Sequence, residues 1–136
     1  MRSTKWVAIV GIVLLETACA RTSDEARVRS TIAQMQKAVE EGAPRDFMGH
    51  VSDDFTGNLG MVDRNGLNNL LRVQVLRNEH QNVLIGPVDV EMQGDRATAK
   101  LTATLTGRSD GSIVPERASI FSITSSWRKE GSDWRC

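Results

Sequence analysis

Residues 96–106 read Arg96-Ala97-Thr98-Ala99-Lys100-Leu101-Thr102-Ala103-Thr104-Leu105-Thr106, alternating strictly between apolar and polar side chains. Ala97, Ala99, Leu101, Ala103 and Leu105 share one face, and the arginine, the lysine and the threonines share the other. A period of two over this length specifies a strand with one dry side and one wet side. That pattern belongs to an antiparallel sheet packed on one face only. Just upstream, Val88, Val90 and Met92 alternate with Asp89 and Glu91, and Gln93-Gly94-Asp95 supplies a hairpin turn between the two runs.

Downstream, residues 107–111 read as a loop and residues 116–129 as a second long strand, with Phe121, Ile123 and Trp127 on its bulkier face. Gly131-Ser132-Asp133 then turns the chain into Trp134-Arg135-Cys136. Upstream, the period changes to that of a helix. Val28, Ile32, Met35 and Val39 form one apolar stripe, introduced by Ser23 as a cap with Asp24 and Glu25 in the first turn. Gly42 stops this helix and Pro44 restarts the chain into a short one over residues 45–51. Residues 53–62 carry too many glycines for a helix and predict a short strand or tight hairpin centred on Phe55. Asp63 can cap a third helix bearing Leu67, Leu70, Leu71 and Val75 and ending near Asn78.

Three helices followed by a meander of long antiparallel strands define an α+β domain. The helices are expected in the concave face of a curved sheet, which gives a cone with a hollow inside. The alanines at 97, 99 and 103 leave room between sheet and helix, either for close packing or for a pocket. The predicted pocket is bounded by Val28, Ile32, Met35, Leu71, Ala99, Leu101 and Ala103.

The first residues have a different character. Arg2 and Lys5 precede an unbroken apolar run over residues 6–15, WVAIVGIVLL. At 1.5 Å per residue that run covers about half of a ~30 Å hydrocarbon core, so it suits a signal peptide better than a spanning helix. Leu15-Glu16-Thr17-Ala18-Cys19 resembles a bacterial lipobox, with Glu16 departing from the pattern. The expectation is removal of residues 1–18 and acylation of Cys19, which anchors the protein to a membrane. By that resemblance Ala20 after the cysteine favours the outer membrane. Cleavage after Ala20 is the alternative and gives a soluble periplasmic protein. Residues 21–136 then form the folded domain.

The order of elements resembles the nuclear transport factor 2-like superfamily, the cone-shaped fold of ketosteroid isomerases and SnoaL-like polyketide cyclases. The likeness rests on the Val28–Val39 stripe, on Val51-Ser52-Asp53-Asp54-Phe55 after a short helix, and on Leu67 with Leu70-Leu71. It rests also on Gly94-Asp95-Arg96-Ala97 before a strand and on the closing Trp127-Arg128 and Trp134-Arg135. The resemblance implies a long, inner final strand. Here three residues follow the last turn, so the domain reads as cut short at Cys136 and of low stability. It also implies that an acidic residue near the entry to the sheet acts in the pocket, a place Asp54 would take, and that subunits pair through an outer sheet face such as the threonine-rich one.

The 136 residues allow one domain, and 40% hydrophobic with 25% charged residues is the balance of a globular protein. With 17 basic against 17 acidic residues there is no surplus to hold nucleic acid. Two cysteines, Cys19 and Cys136, make neither a disulfide framework nor a Cys-only zinc site, and His80, read as a loop residue beside Glu79, lacks further ligands. No metal or cofactor is expected. His50 with Asp53 and Asp54 could form an acid/base pair, the carboxylate fixing the imidazole tautomer. They also suit a plain helix end and turn, and the chain has no tyrosine for the isomerase oxyanion hole. Two readings follow. One is a non-catalytic envelope domain that binds a small apolar molecule or a partner protein, with a homodimer as a further possibility. The other is a SnoaL-like cyclase or isomerase that transfers protons through Asp54 and His50.

Overall fold

The computed structural model describes residues 23–77, 80–108 and 117–136. Residues 1–22, with the expected signal segment and Cys19, lie outside the described residues. Three helices come first: α1 (Asp24–Glu40), α2 (Pro44–Met48) and α3 (Arg64–Arg77). Between α2 and α3 the two-residue strands β1 (Thr56–Gly57) and β2 (Val62–Asp63) pair as a hairpin. The main sheet holds β3 (His80–Ile85), β4 (Asp89–Gln93), β5 (Arg96–Arg108), β6 (Arg117–Glu130) and β7 (Asp133–Arg135).

Local chemistry sets these boundaries. The Ala26 N–H donates to Ser23 Oγ at 3.1 Å and caps α1, and the Gly66 N–H donates to Asp63 Oδ1 at 2.7 Å and caps α3. Helix α1 ends at Gly42, whose φ of +64° is readily open only to glycine. Gly94 has φ +61° in the turn that returns β4 into β5. The short helix ends three residues earlier than the sequence predicts, and the hairpin lies just after Phe55 instead of centring on it. His80 begins a strand, opposite Arg108, where the sequence suggested a loop.

Strand β5 organises the sheet. β6 covers one of its edges, from Arg96↔Arg128 to Gly107↔Arg117. β3 and β4 share the other edge, β3 against residues 103–108 and β4 against residues 96–100. They act as one strand interrupted at Gly86-Pro87, because proline has no N–H to give to a ladder. Gly86 N–H still donates to Thr102 O at 2.9 Å. β7 pairs with β6 only at residues 128–130. Its far side is held by the chain after α2: Ser52 N–H donates to Cys136 O at 2.7 Å, and Cys136 N–H to His50 O at 3.0 Å. The final strand thus lies at the end of the sheet's strand order.

The sheet curls strongly into a half-barrel, and α1 lies against its concave side. The core sits at one end of the cone. There Val28 and Ile32 of α1 meet Ala97, Ala99, Trp127 and Trp134. The small residues on β5 make space that the two tryptophans fill, Trp127 directly opposite Ala97. Trp134 also donates from Nε1 to Asp24 Oδ1 at 3.2 Å, which ties the last strand to the first helical turn.

Candidate functional site

Beyond the tryptophans the cone opens. A cavity of about 1110 Å³ lies between α1, α3, the β1–β2 hairpin and the inner faces of β5 and β6. The inward alternation of β5 supplies Leu101, Ala103 and Leu105 to its wall. The facing positions on β6 are Ile123 opposite Leu101 and Phe121 opposite Ala103. Ile32, Met35 and Val39 from α1 and Leu67 and Leu71 from α3 add to the apolar lining. Phe121 and Ile123 are 49% and 40% exposed, so the wall is open to solvent on the β6 side.

Of the predicted pocket residues, Ile32, Met35, Leu71, Leu101 and Ala103 line this cavity. Val28 and Ala99 do not: both are fully buried in the packed core. The reason is the pair of tryptophans, whose volume takes up the room that the alanines leave at that end. Ala99 also lies opposite Ser125, whose Oγ donates to Ala99 O at 3.3 Å and accepts from Trp127 Nε1 at 2.9 Å.

The charged groups collect at one end. Arg96 is paired with Arg128 across β5 and β6, and Arg128 with Arg135 across β6 and β7. The three form a row across the sheet on the face opposite Ala97 and Trp127, and they reach the cavity only at its rim. Asp54 lies there too. Arg128 donates from Nη1 and Nη2 to its two carboxylate oxygens at 3.0 and 2.9 Å. Those hydrogen bonds, then the charge of the guanidinium, hold Asp54 below the ordinary carboxylate range. Arg128 also lies 3.5 Å from Glu130, which accepts from the buried Ser52 hydroxyl at 3.0 Å.

His50 lies elsewhere. It lines a separate polar cleft of about 470 Å³ with Arg27, Ser30, Gln34 and Asp133. The structure does not bring His50 and Asp54 together: the Asp54 carboxylate is taken by Arg128, and Asp53 is paired loosely with Arg64 at 3.8 Å. The short helix ends before His50, so the turn that follows sends the histidine and the two aspartates in different directions. Burial pushes the Cys136 thiol, at the edge of the main cavity, up to about 11. Among the described residues, no group of three or more His, Cys, Asp or Glu side chains could hold a metal ion. Among them, too, no helix is long and apolar enough to cross a membrane.

Sequence reasoning missed the arginine row. Its signal lay in the strand pattern, but pairing Arg96 with Arg128 and Arg135 required the register of three strands.

A short helix-capped cone with this strand order matches many solved structures. A nuclear transport factor 2-like protein with a cystatin-like fold from Novosphingobium aromaticivorans superposes with a TM-score of 0.64 at 19% identity, over 82% of this chain and 76% of that one. The chain has the nuclear transport factor 2-like fold. A candidate scytalone dehydratase from the same organism gives a TM-score of 0.66 at 9% identity, over 82% of this chain and 77% of that one. A protein of unknown function with a cystatin-like fold from Nostoc punctiforme gives 0.64 at 12% identity, over 82% and 84%. No family model matches the sequence, and no curated protein matches it. Proteins with the nuclear transport factor 2-like fold thus include a candidate dehydratase alongside one of unknown function, and the likeness concerns the fold alone.

Proposed function

We propose that the domain is a non-catalytic binding module whose cone takes a small, mainly apolar molecule. The observation that carries this reading is the composition of the cavity wall. Its inner part is aliphatic and aromatic, and the arginine row with Asp54 stands at its rim. Apolar walls with a few placed polar groups suit small-molecule recognition. The arginines would meet a polar end of such a molecule.

The geometry gives proton transfer little support. A general acid or base works best with a pKa near the operating pH. Asp54 is held the other way by Arg128, its side chain is 69% exposed, and His50 faces another cleft. Cys136 stays protonated at neutral pH.

We further propose, from the N-terminal sequence, that the protein is exported and anchored through Cys19. Native mass spectrometry of protein purified from its own envelope tests both statements. The expected spectrum shows a diacylated N-terminus at Cys19 and a second species carrying a small apolar adduct that organic solvent removes. An unlipidated chain beginning at Arg21 would overturn the anchor, and protein free of any adduct would count against the ligand.

A further inference from the structure

We infer that the outer face of α3 seats the domain on an anionic lipid surface, with Leu70, Val73 and Leu76 entering the boundary between headgroups and acyl chains. Helix α3 is apolar on two sides. Leu67, Leu71 and Val75, four positions apart, are half-buried on the inner side, and Leu67 and Leu71 wall the cavity. Leu70, Val73 and Leu76, three positions apart, follow one another along the outer side and are 58%, 44% and 85% exposed. Met61 of the hairpin is 77% exposed and lines one cleft with Leu70, so the apolar surface continues beyond the helix. A helix that is apolar all round is normally covered all round. This one packs chiefly on α2 and β2, and among the described residues nothing covers its outer side.

Charge distinguishes the possible covers. Over its 14 residues α3 holds three arginines and no acid, although the whole chain balances 17 basic against 17 acidic residues. Arg64 is turned inward and donates to Met48 O at 3.1 Å. Arg72 and Arg77 are exposed, and neither has an ion-pair partner among the described residues. Asp63, just before the helix, is engaged in capping the Gly66 N–H. Exposed leucines flanked by arginines are the composition of a helix that lies in a membrane interface, where the guanidinium groups reach phosphate while their stems stay among apolar groups.

A second copy of the chain suits this face poorly. Two-fold pairing sets a patch against itself, so Arg72 and Arg77 would meet their like with no acid on α3 to offset them. A protein partner would have to supply a groove, because the face is the convex outside of a single helix. A bilayer interface fits around such a ridge without a preformed shape. The inference depends neither on acylation of Cys19 nor on the cavity holding a small molecule.

The test follows amide hydrogen exchange of the full chain with vesicles of equal parts phosphatidylglycerol and phosphatidylcholine, and with vesicles of phosphatidylcholine alone. The anionic vesicles should slow exchange over residues 64–77 in a lipid-dependent way, leave β5 unchanged, and lose their effect at high salt. A cation near an anionic surface is worth roughly fivefold in affinity, so Arg72→Gln with Arg77→Gln should raise the lipid concentration for half protection by about thirtyfold. Leu76→Glu, at an exposed position, should abolish the protection in a folded protein. Unchanged α3 exchange on vesicles would overturn the inference, even where the chain floats with them, because the N-terminal segment alone would then hold it there. Equal protection by phosphatidylcholine alone, or by folded Leu76→Glu protein, would overturn it too. So would α3 protection without lipid that rises with protein concentration together with dimer in sedimentation, which would give the face to a second copy. Protection by a leucine- and glutamate-rich peptide but not by vesicles would give it to an acidic protein partner, and overturn it likewise.

Discussion

Ala99 and Ala103 occupy the same face of β5, yet they report on different surroundings. Ala99 is sealed in the core beside Trp127, whereas Ala103 borders the open cavity. Ala99→Leu should therefore destabilise the protein by about 1–3 kcal/mol through overpacking. Ala103→Leu should be neutral or stabilising, since each buried CH₂ is worth about 0.8 kcal/mol. Chemical denaturation of both variants checks the contrast. The alternation made both alanines legible as inward-facing. Which of them met empty space was not legible, because two distant tryptophans decide it. Asp24 gives a second expectation at this scale. The hydrogen bond from Trp134, then the contacts with Lys129, lower its pKa in the fold. A carboxylate lowered on folding contributes stability above its unfolded pKa, and that contribution is lost as the pH falls through the folded value. Wild type should lose stability as the pH drops below about 4. Asp24→Asn should be less stable at neutral pH and should show a shallower acid dependence, read from urea midpoints at several pH values.

At the scale of elements, the caps and turns were the most legible features. Ser23, Gly42, Asp63 and Gly94 all stand where the sequence places them, because a cap or a tight turn is a contract between near neighbours. Asp63→Ala should cost about 1 kcal/mol by removing the acceptor for the Gly66 N–H. A urea titration should show an earlier midpoint with the slope unchanged. Non-local features were not readable in this way. That β3 and β4 share one edge of β5 depends on the interruption at Gly86-Pro87 and on where the chain returns after α3. The failure of His50 to meet Asp54 has the same origin. Their spacing in sequence allowed a contact, but the turn after α2 is fixed by backbone bonds to Cys136, a partner 84 to 86 positions away.

For the whole molecule, the fold follows from one strongly amphipathic strand, one amphipathic helix and the turn between two periodic runs. The resemblance to the nuclear transport factor 2-like superfamily is met by the solved structures at the level of fold. The same cone could serve catalysis or binding, and the difference lies in which side chains face its hollow. Here the wall is apolar, the one well-placed carboxylate is bound to arginine, and the histidine faces away. The account therefore stands on the cavity being a real binding volume. The most direct measurement is a fluorescence titration with N-phenyl-1-naphthylamine, a neutral apolar probe, against wild type, Ala103→Trp and Ile120→Thr. Ile120 is exposed on the outer face and serves as a control for loose surface binding. Saturable binding to wild type and to Ile120→Thr, weakened tenfold or more in a folded Ala103→Trp protein, is the result expected. No saturable binding to wild type, or equal binding to a folded Ala103→Trp, would contradict it.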